Sequence, residues 1–252
     1  MTEQRVVLIT GAAGGIGNAS AKVFRDAGWL VVGVDRRPFE SLPNTDVFIQ
    51  ADIADIDSSR TIFEQVNAQV GRLDVLVNNA AVQVTKRLVD TTPEEWDRVM
   101  DSNIRSVYLG VKHAHPLLCQ SPRAAIVNIS SVHAVATSAN IAAYAASKGA
   151  LLALTRALAI ELTHDRIRVN AVLPGAVDTP MLHAGLNRGH VEGNSTHELV
   201  KALGARHVIG RVGEPDEIGQ AILFLADHDR SSFITGQALI VDGGATARLS
   251  TE

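Results

Sequence analysis

The sequence contains two tyrosines, and each has a lysine four residues later: Tyr108 with Lys112 in SVYLGVK, and Tyr144 with Lys148 in AAYAASK. On a helix, residues four apart share a face. An ammonium beside a phenol stabilises the phenolate and draws its pKa down from about 10, toward the range of a working proton-transfer base. Each unit of lowering needs about 1.4 kcal/mol of preferential stabilisation of the ion. An ordinary surface pair has the same spacing, so the neighbouring residues must separate the two copies.

Thirteen residues before Tyr144 stands Ser131, just past the apolar run AAIVNIS at 124–130. A hydroxyl there can hydrogen-bond a substrate oxygen and the charge that develops on it. Tyr108 and Lys112 instead follow Asn103, turned from it by about 140° and about 180° around a helix. If Asn103 faces a site, Lys112 faces away. Tyr144 and Lys148 are therefore the expected chemical pair, and Tyr108 and Lys112 are expected on an outer or subunit-facing surface.

These side chains need a scaffold, and the hydrophobic pattern describes one. Short runs rich in Val and Ile lie at 5–10, 29–35, 46–52, 73–79, 124–130, 167–174 and 238–243. Such continuous apolar runs suit strands covered on both faces. Amphipathic segments fall between them, near 15–28, 57–70, 93–119, 143–163 and 215–227. Thr92, Pro93 and Glu95 mark one helix start with a capping box. The expected fold class is α/β: a doubly wound, Rossmann-type parallel sheet of about seven strands with helices on both faces. It forms one domain over 1–252, and its ligands bind at the carboxyl ends of the strands. The stretch 181–210 is polar and breaks the rhythm. It reads as a substrate lid or as a surface excursion.

Composition narrows the function. The net charge of −4 gives no reason to expect a nucleic-acid partner. No apolar run reaches spanning length and the N-terminus lacks the design of a secretory signal, so no membrane association is expected. The single cysteine, Cys119, excludes an intramolecular disulfide and fits a reducing, cytoplasmic setting.

Thr10–Gly17 reads TGAAGGIG, directly after the first strand and into the first helix. Glycines at 11, 15 and 17 allow a tight turn and a close approach to a diphosphate at the helix N-terminus. The second strand ends in Asp35, whose carboxylate suits ribose hydroxyls and repels a 2′-phosphate, favouring NAD over NADP. Arg36 and Arg37 complicate that preference, because guanidinium groups bind phosphate. Asp52 could bind the adenine amino group or simply cap a turn.

The combination TGxxxGIG, Asn78-Asn79-Ala80, Asn103, a strand-end serine, YxxxK and Pro174-Gly175 followed by Thr179 closely resembles the classical short-chain dehydrogenase/reductase family. GRVGEPDEIG and ITGQALIVDGG extend the likeness over essentially the whole chain. The resemblance implies catalytic Asn103, Ser131, Tyr144 and Lys148. Tyr144 would be the general acid/base, Ser131 would position the substrate oxygen, and Lys148 would tune Tyr144 and bind ribose. Asn103 would help hold a water-linked proton relay with Lys148. A bound cofactor would meet Gly11, Gly15, Ile16 and Gly17, then Asp35, Asp52 and Ile53. It would also meet Asn79 and Ala80, Tyr144 and Lys148, and finally Pro174, Gly175, Val177 and Thr179. Ala81 and Ala134 stand where the family often has glycine.

The expected reaction is hydride transfer between NAD and a secondary alcohol or ketone, with a polar substrate such as a sugar or polyol preferred. Substrate contacts are sought at His133, Met181 and His183, with Asn187, Arg188 and His190 as further lid candidates. His133 reads equally as a solvent-facing loop residue. The lid histidines, with His197 and His207, lack a tight ligand pair, so no metal is expected. The alternatives are a 3-oxoacyl thioester reductase and a nicotinamide-sensing protein without chemistry. The resemblance also implies a homotetramer, to which Val107, Leu109 and Val111 on the third long helix would contribute.

Overall fold

A single parallel sheet in the order β3-β2-β1-β4-β5-β6-β7 forms the centre of the computed structural model. It describes residues 4–39, 41–186, 191 and 193–247. The strands are β1 (Val6–Thr10), β2 (Leu30–Asp35), β3 (Val47–Gln50), β4 (Val75–Asn78), β5 (Ala125–Ile129), β6 (Arg168–Pro174) and β7 (Ala238–Val241). Each lies within a run expected from the hydrophobic pattern. The order reverses between β1 and β4, which opens a crevice at their carboxyl ends.

Helices cover both faces because the central strands are apolar on both. Against one face pack α2 (Ile56–Gln69), α4 (Ser106–Leu118) and α5 (Ala142–Glu161), burying Leu8, Ile62, Leu76, Val111, Ile126 and Leu151. Against the other pack α1 (Gly15–Asp26) and α8 (Pro215–Ala226), burying Ile9, Phe24, Val77, Val127, Ile218 and Ile222. Two further helices, α6 (Pro180–Gly185) and α7 (Thr196–Gly204), flank the crevice within the expected lid stretch, and a short α9 (His228–Ser231) follows α8. No helix among the described residues is long and apolar enough to cross a membrane.

The segment expected as one helix over 93–119 is two. The first, α3 (Pro93–Met100), starts with the expected capping box of Thr92 and Glu95. A π turn at Asp101–Arg105 then leads into α4. The buried residues Val99, Asn103 and Val107 are four apart, a spacing that drifts around an ordinary α-helix. The wider π turn keeps them on one face, and it aims the Asn103 amide inward. Val107, Leu109 and Val111 are buried by this chain's own fold. They therefore offer no surplus apolar face for a partner, contrary to the expectation from sequence.

A polar thread ties the sheet to α5. Asn78 Nδ2 donates to Asn128 Oδ1 at 2.9 Å, and Asn128 Nδ2 donates to Thr155 Oγ1 at 2.9 Å. All three side chains are buried. Replacing Asn128 with Ala strands the Asn78 amide in the core. Urea denaturation should show a loss of about 2 kcal/mol. An unchanged midpoint would mean that the thread contributes nothing to holding α5.

Candidate active site

The crevice is a cleft of about 710 Å³. Its floor comes from the loops after β1, β2, β3, β4, β5 and β6, so residues far apart in sequence converge by topology. Gly11, Gly15, Ile16, Asp35, Asp52, Ile53, Asn79 and Ala80 line one part. Ser131, His133, Tyr144, Lys148, Pro174, Gly175, Val177, Thr179 and Met181 line the rest. Gly17 and Asn103, both expected to serve the site, stand behind the lining.

Gly17 acts by packing. A Cβ there would lie 2.2 Å from the Gly11 carbonyl oxygen and 2.8 Å from Asn79 Nδ2. Its glycine therefore allows α1 to approach the preceding turn. Gly11, with φ +66°, makes that turn. Asn79 locks it: Nδ2 donates to the carbonyls of Thr10 (2.9 Å) and Gly11 (3.1 Å). The Asn79 and Ala80 N–H groups both donate to Thr10 Oγ1 at 3.0 Å. Helix α1 begins at N-cap Gly14 with no side-chain cap. Its first-turn N–H groups and positive dipole end suit an anion. A dinucleotide diphosphate fits that start.

Asp35 is buried at the end of β2. Oδ2 accepts from the Ala13 N–H at 3.0 Å, and Oδ1 accepts from the Arg37 N–H at 3.0 Å and from Arg37 Nε at 3.1 Å. Burial pushes its pKa up, but the hydrogen bonds from Arg37 and Ala13 outweigh it and hold the carboxyl below the usual range. The charge that faces the cleft is thus a carboxylate, and the Arg37 guanidinium is engaged with it. Asp52 caps its own turn, with Oδ1 accepting from the Ala54 N–H at 2.9 Å.

At the other end, the Ser131 hydroxyl accepts from the His133 N–H at 3.2 Å and sits near enough to the Tyr144 phenol to favour its ionised form. Lys148 Nζ donates to the Ile129 carbonyl at 2.7 Å and lies 5.5 Å from the centre of the Tyr144 ring. Tyr144 and Lys148 therefore share a helix face, as their spacing predicts. Their electrostatics differ from expectation. Burial pushes Tyr144 up to about 12, with Ser131 opposing, and pushes Lys148 down to about 7. The ammonium is directed at a backbone carbonyl and does not offset the desolvation of the phenolate. By contrast, Tyr108 is exposed, with its hydroxyl 3.5 Å from Lys112 Nζ, and neither lines the cleft.

Asn103 supports the pair from behind. Its Oδ1 accepts from the Val82 N–H at 2.9 Å, and its Nδ2 donates to the Val82 carbonyl at 3.0 Å and to Ser147 Oγ at 2.9 Å. Both Nδ2 protons are taken by these partners, and the side chain does not itself bond Lys148. It fixes the residue next to Lys148 and the loop after β4.

The expected substrate contacts divide. The His133 ring stands edge-on to Tyr144, with centroids 6.0 Å apart, and its Nδ1 lies 2.9 Å from Thr137 Oγ1. Met181 lines the cleft, and its carbonyl accepts from Gln83 Nε2 at 2.7 Å. His183 does not line the cleft; it pairs with Asp178 at 2.7 Å on the outside of α6. His197 is exposed, whereas His207 is buried and lines the cleft with Arg206. Asn187, Arg188 and His190 lie outside the described residues. Gln83, Leu182 and Leu203 also line the cleft; no motif marks them, and only the fold brings them there.

The lowered pKa of Lys148 has a measurable signature. Between about 7 and the unfolded value of 10.5, the unfolded chain holds a proton that the folded chain lacks. Stability must then rise with pH, by up to about 1.4 kcal/mol per unit, and be lost as pH falls toward 7. Urea denaturation from pH 7 to 10 should show this slope in the wild type and not in Lys148→Met. Equal slopes would rule out a depressed Lys148.

The same architecture recurs in known proteins. A family model described as enoyl-(acyl carrier protein) reductase matches residues 11–246. Cyclopentanol dehydrogenase of Comamonas sp. (strain NCIMB 9872) is 35% identical over 96% of this chain and 97% of its own. The ligand-free aldohexose dehydrogenase of Thermoplasma acidophilum superposes with a TM-score of 0.92 at 32% identity, covering 98% of this chain and 96% of that one. The 3-ketoacyl-(acyl-carrier-protein) reductase of Brucella melitensis, complexed with NADH, superposes with a TM-score of 0.86 at 33% identity, covering 98% and 100%. By sequence, sheet order and cleft, this chain belongs to the short-chain dehydrogenase/reductase family of nicotinamide-dependent oxidoreductases.

Proposed function

We propose that the protein interconverts a secondary alcohol and its ketone, with NAD as the preferred cofactor. The convergence of Ser131, Tyr144 and Lys148 on one wall of the cleft carries this proposal. When bound, the nicotinamide accepts or supplies the hydride. The chain's own residues do the rest. The Ser131 and Tyr144 hydroxyls bind the substrate oxygen. In oxidation, the Tyr144 phenolate takes the hydroxyl proton as the C–H bond breaks; in reduction, the phenol returns it. Desolvation holds Tyr144 high and Lys148 low, so the phenolate depends on positive charge brought beside it, as an oxidised nicotinamide would bring. Asn103 acts as a positioning residue through Val82 and Ser147.

The Asp35 carboxylate supports the NAD preference: it accepts ribose hydroxyls and repels a phosphate in their place. Substrates with polar substituents are supported by His133, Gln83, Arg206 and His207 around the cleft. The stretch 181–210 is proposed as a lid, since α6 and α7 both supply cleft residues. A second proposal, reduction of a 3-oxoacyl thioester, draws support from the likeness to the Brucella reductase, which is complexed with NADH. A binding-only role would leave the buried Ser131–Tyr144–Lys148 set without a use.

Turnover of an alcohol panel with NAD and NADP in parallel tests the proposal, with NAD expected to give the higher kcat/KM. Tyr144→Phe should lower turnover about 1,000-fold, while NADH still binds, as read by its fluorescence. Retained turnover would remove Tyr144 from the proton transfer, and an NADP preference would overturn the role of Asp35.

A homo-oligomer, with a tetramer expected from the family, is also proposed. Among the described residues β7 pairs only with β6, leaving its other edge open. Phe233 is fully exposed, and Ile160 and Ile240 are exposed as well. Such apolar surface beside an open edge favours association. Sedimentation should find a multiple of the 26.8 kDa chain, and Phe233→Glu should shift it toward smaller species. A wild-type monomer would refute the assembly.

A further inference from the structure

At the end of α4 and the short turn after α5, three different donor types meet. His115 Nε2 lies 2.8 Å from Asp165 Oδ2 and 3.3 Å from Cys119 Sγ. All three ligand atoms lie within 4.8 Å of one another. The lone cysteine and a histidine one helical turn before it thus share a face, and the carboxylate arrives from 46 residues further along. No residue here lines the cleft. Counting along α5, the cluster is roughly 20 Å from Lys148.

The convergence is not that of a nucleophile relay. A relay needs the carboxylate on one imidazole nitrogen and the thiol on the other. Here both approach Nε2 most closely, with Sγ 3.9 Å from Nδ1. Burial and the Asp165 charge also push the Cys119 thiol up, away from a free thiolate. A cation among the three donors would reverse that.

We propose that His115, Cys119 and Asp165 form a zinc site, with water completing four-coordination. Imidazole nitrogen, thiolate and carboxylate match the preference of this borderline-soft ion. Zinc bond lengths set tetrahedral edges of about 3.4 Å between nitrogen and oxygen and about 3.6 Å between nitrogen and sulfur. The observed 2.8 and 3.3 Å need only small side-chain shifts to open to these values. The thiol proton leaves to solvent, so thiolate and carboxylate together balance the dication. Cys119 is the C-cap of α4, and Asp165 follows the end of α5, so two helix C-termini present their negative dipole ends here. The sequence pattern suggested no metal because its histidines were sought in the lid; the pair HxxxC lies on α4.

Bound zinc would join α4 to the turn after α5 and act as a staple. Cobalt(II) titration of untagged, chelator-treated protein tests the site directly. A thiolate-to-cobalt charge-transfer band should saturate at one equivalent, be bleached by zinc, and vanish in Cys119→Ser. Saturating zinc should raise the unfolding midpoint by about 5 °C. That shift should be absent in His115→Ala and Asp165→Asn, whose folding circular dichroism would verify. Absence of the band, or equal cobalt binding or an equal zinc shift in the variants, would overturn the site.

Discussion

The three hydrogen bonds of the Asn103 amide are the constraint on which the site depends. They join a π turn, the backbone of Val82 after β4, and Ser147 beside Lys148. One buried side chain thereby links the crevice's central loop with the helix that carries Tyr144. An amide has the right inventory for this, since it both accepts and donates at one locus. Aiming it inward requires the π turn, an interruption that propensity alone would not favour. Ser147 in turn donates to the Tyr144 carbonyl at 2.7 Å, so the same thread sets the first turn of α5.

That rigidity allows the proposed reacting pair to be buried. Ser131, Tyr144 and Lys148 are all nearly inaccessible, and their ionisation follows from this. Desolvation drives Tyr144 to about 12 and Lys148 to about 7, both toward their neutral forms. A helical Tyr–Lys spacing alone therefore does not make a base. It makes a polarisable pair whose ionisation answers to any cation brought beside it. In a buried site, a positive charge nearby acts with little screening. In the proposed reaction an oxidised nicotinamide would bring such a charge, coupling its arrival to the ionisation of Tyr144.

Much of the molecule was legible because its signals are local or topological. Continuous apolar runs predicted seven strands, the central five of them buried and the edge strands β3 and β7 partly exposed, and the crossover order placed the cleft at their carboxyl ends. Tyr144 and Tyr108 share a motif yet separate by context: one follows a strand-end serine, the other sits on the outer face of α4. The π turn was not legible, because 93–119 has helical character throughout and the break depends on Asn103 finding Val82 and Ser147. Gly17 reads as a phosphate-loop glycine, and sequence does not reveal that the Gly11 carbonyl and Asn79 leave no room for a side chain there. His183, expected at the substrate, does not line the cleft and contacts Asp178 five residues earlier, an orientation that sequence does not reveal. Val107 and Val111 looked surplus because sequence does not reveal that both faces of the sheet take up helices so completely.

Asp35 ties the glycine turn to the end of β2, and the proposed cofactor selectivity rests on the same bonds. Its oxygens bind two backbone N–H groups and the Arg37 side chain. These bonds close the glycine turn onto the end of β2 and keep the group ionised despite burial. The arginine that could otherwise recruit a phosphate is held against the carboxylate instead. Arg36, exposed at the cleft, has no such tether to Asp35. A phosphate on the ribose would have to displace Arg37 from a buried acid and leave that acid facing a second anion. Loss of a charge-assisted bond and like-charge contact oppose it together. The proposed NAD preference thus rests on the Ala13–Asp35–Arg37 unit, not on the count of basic residues after β2.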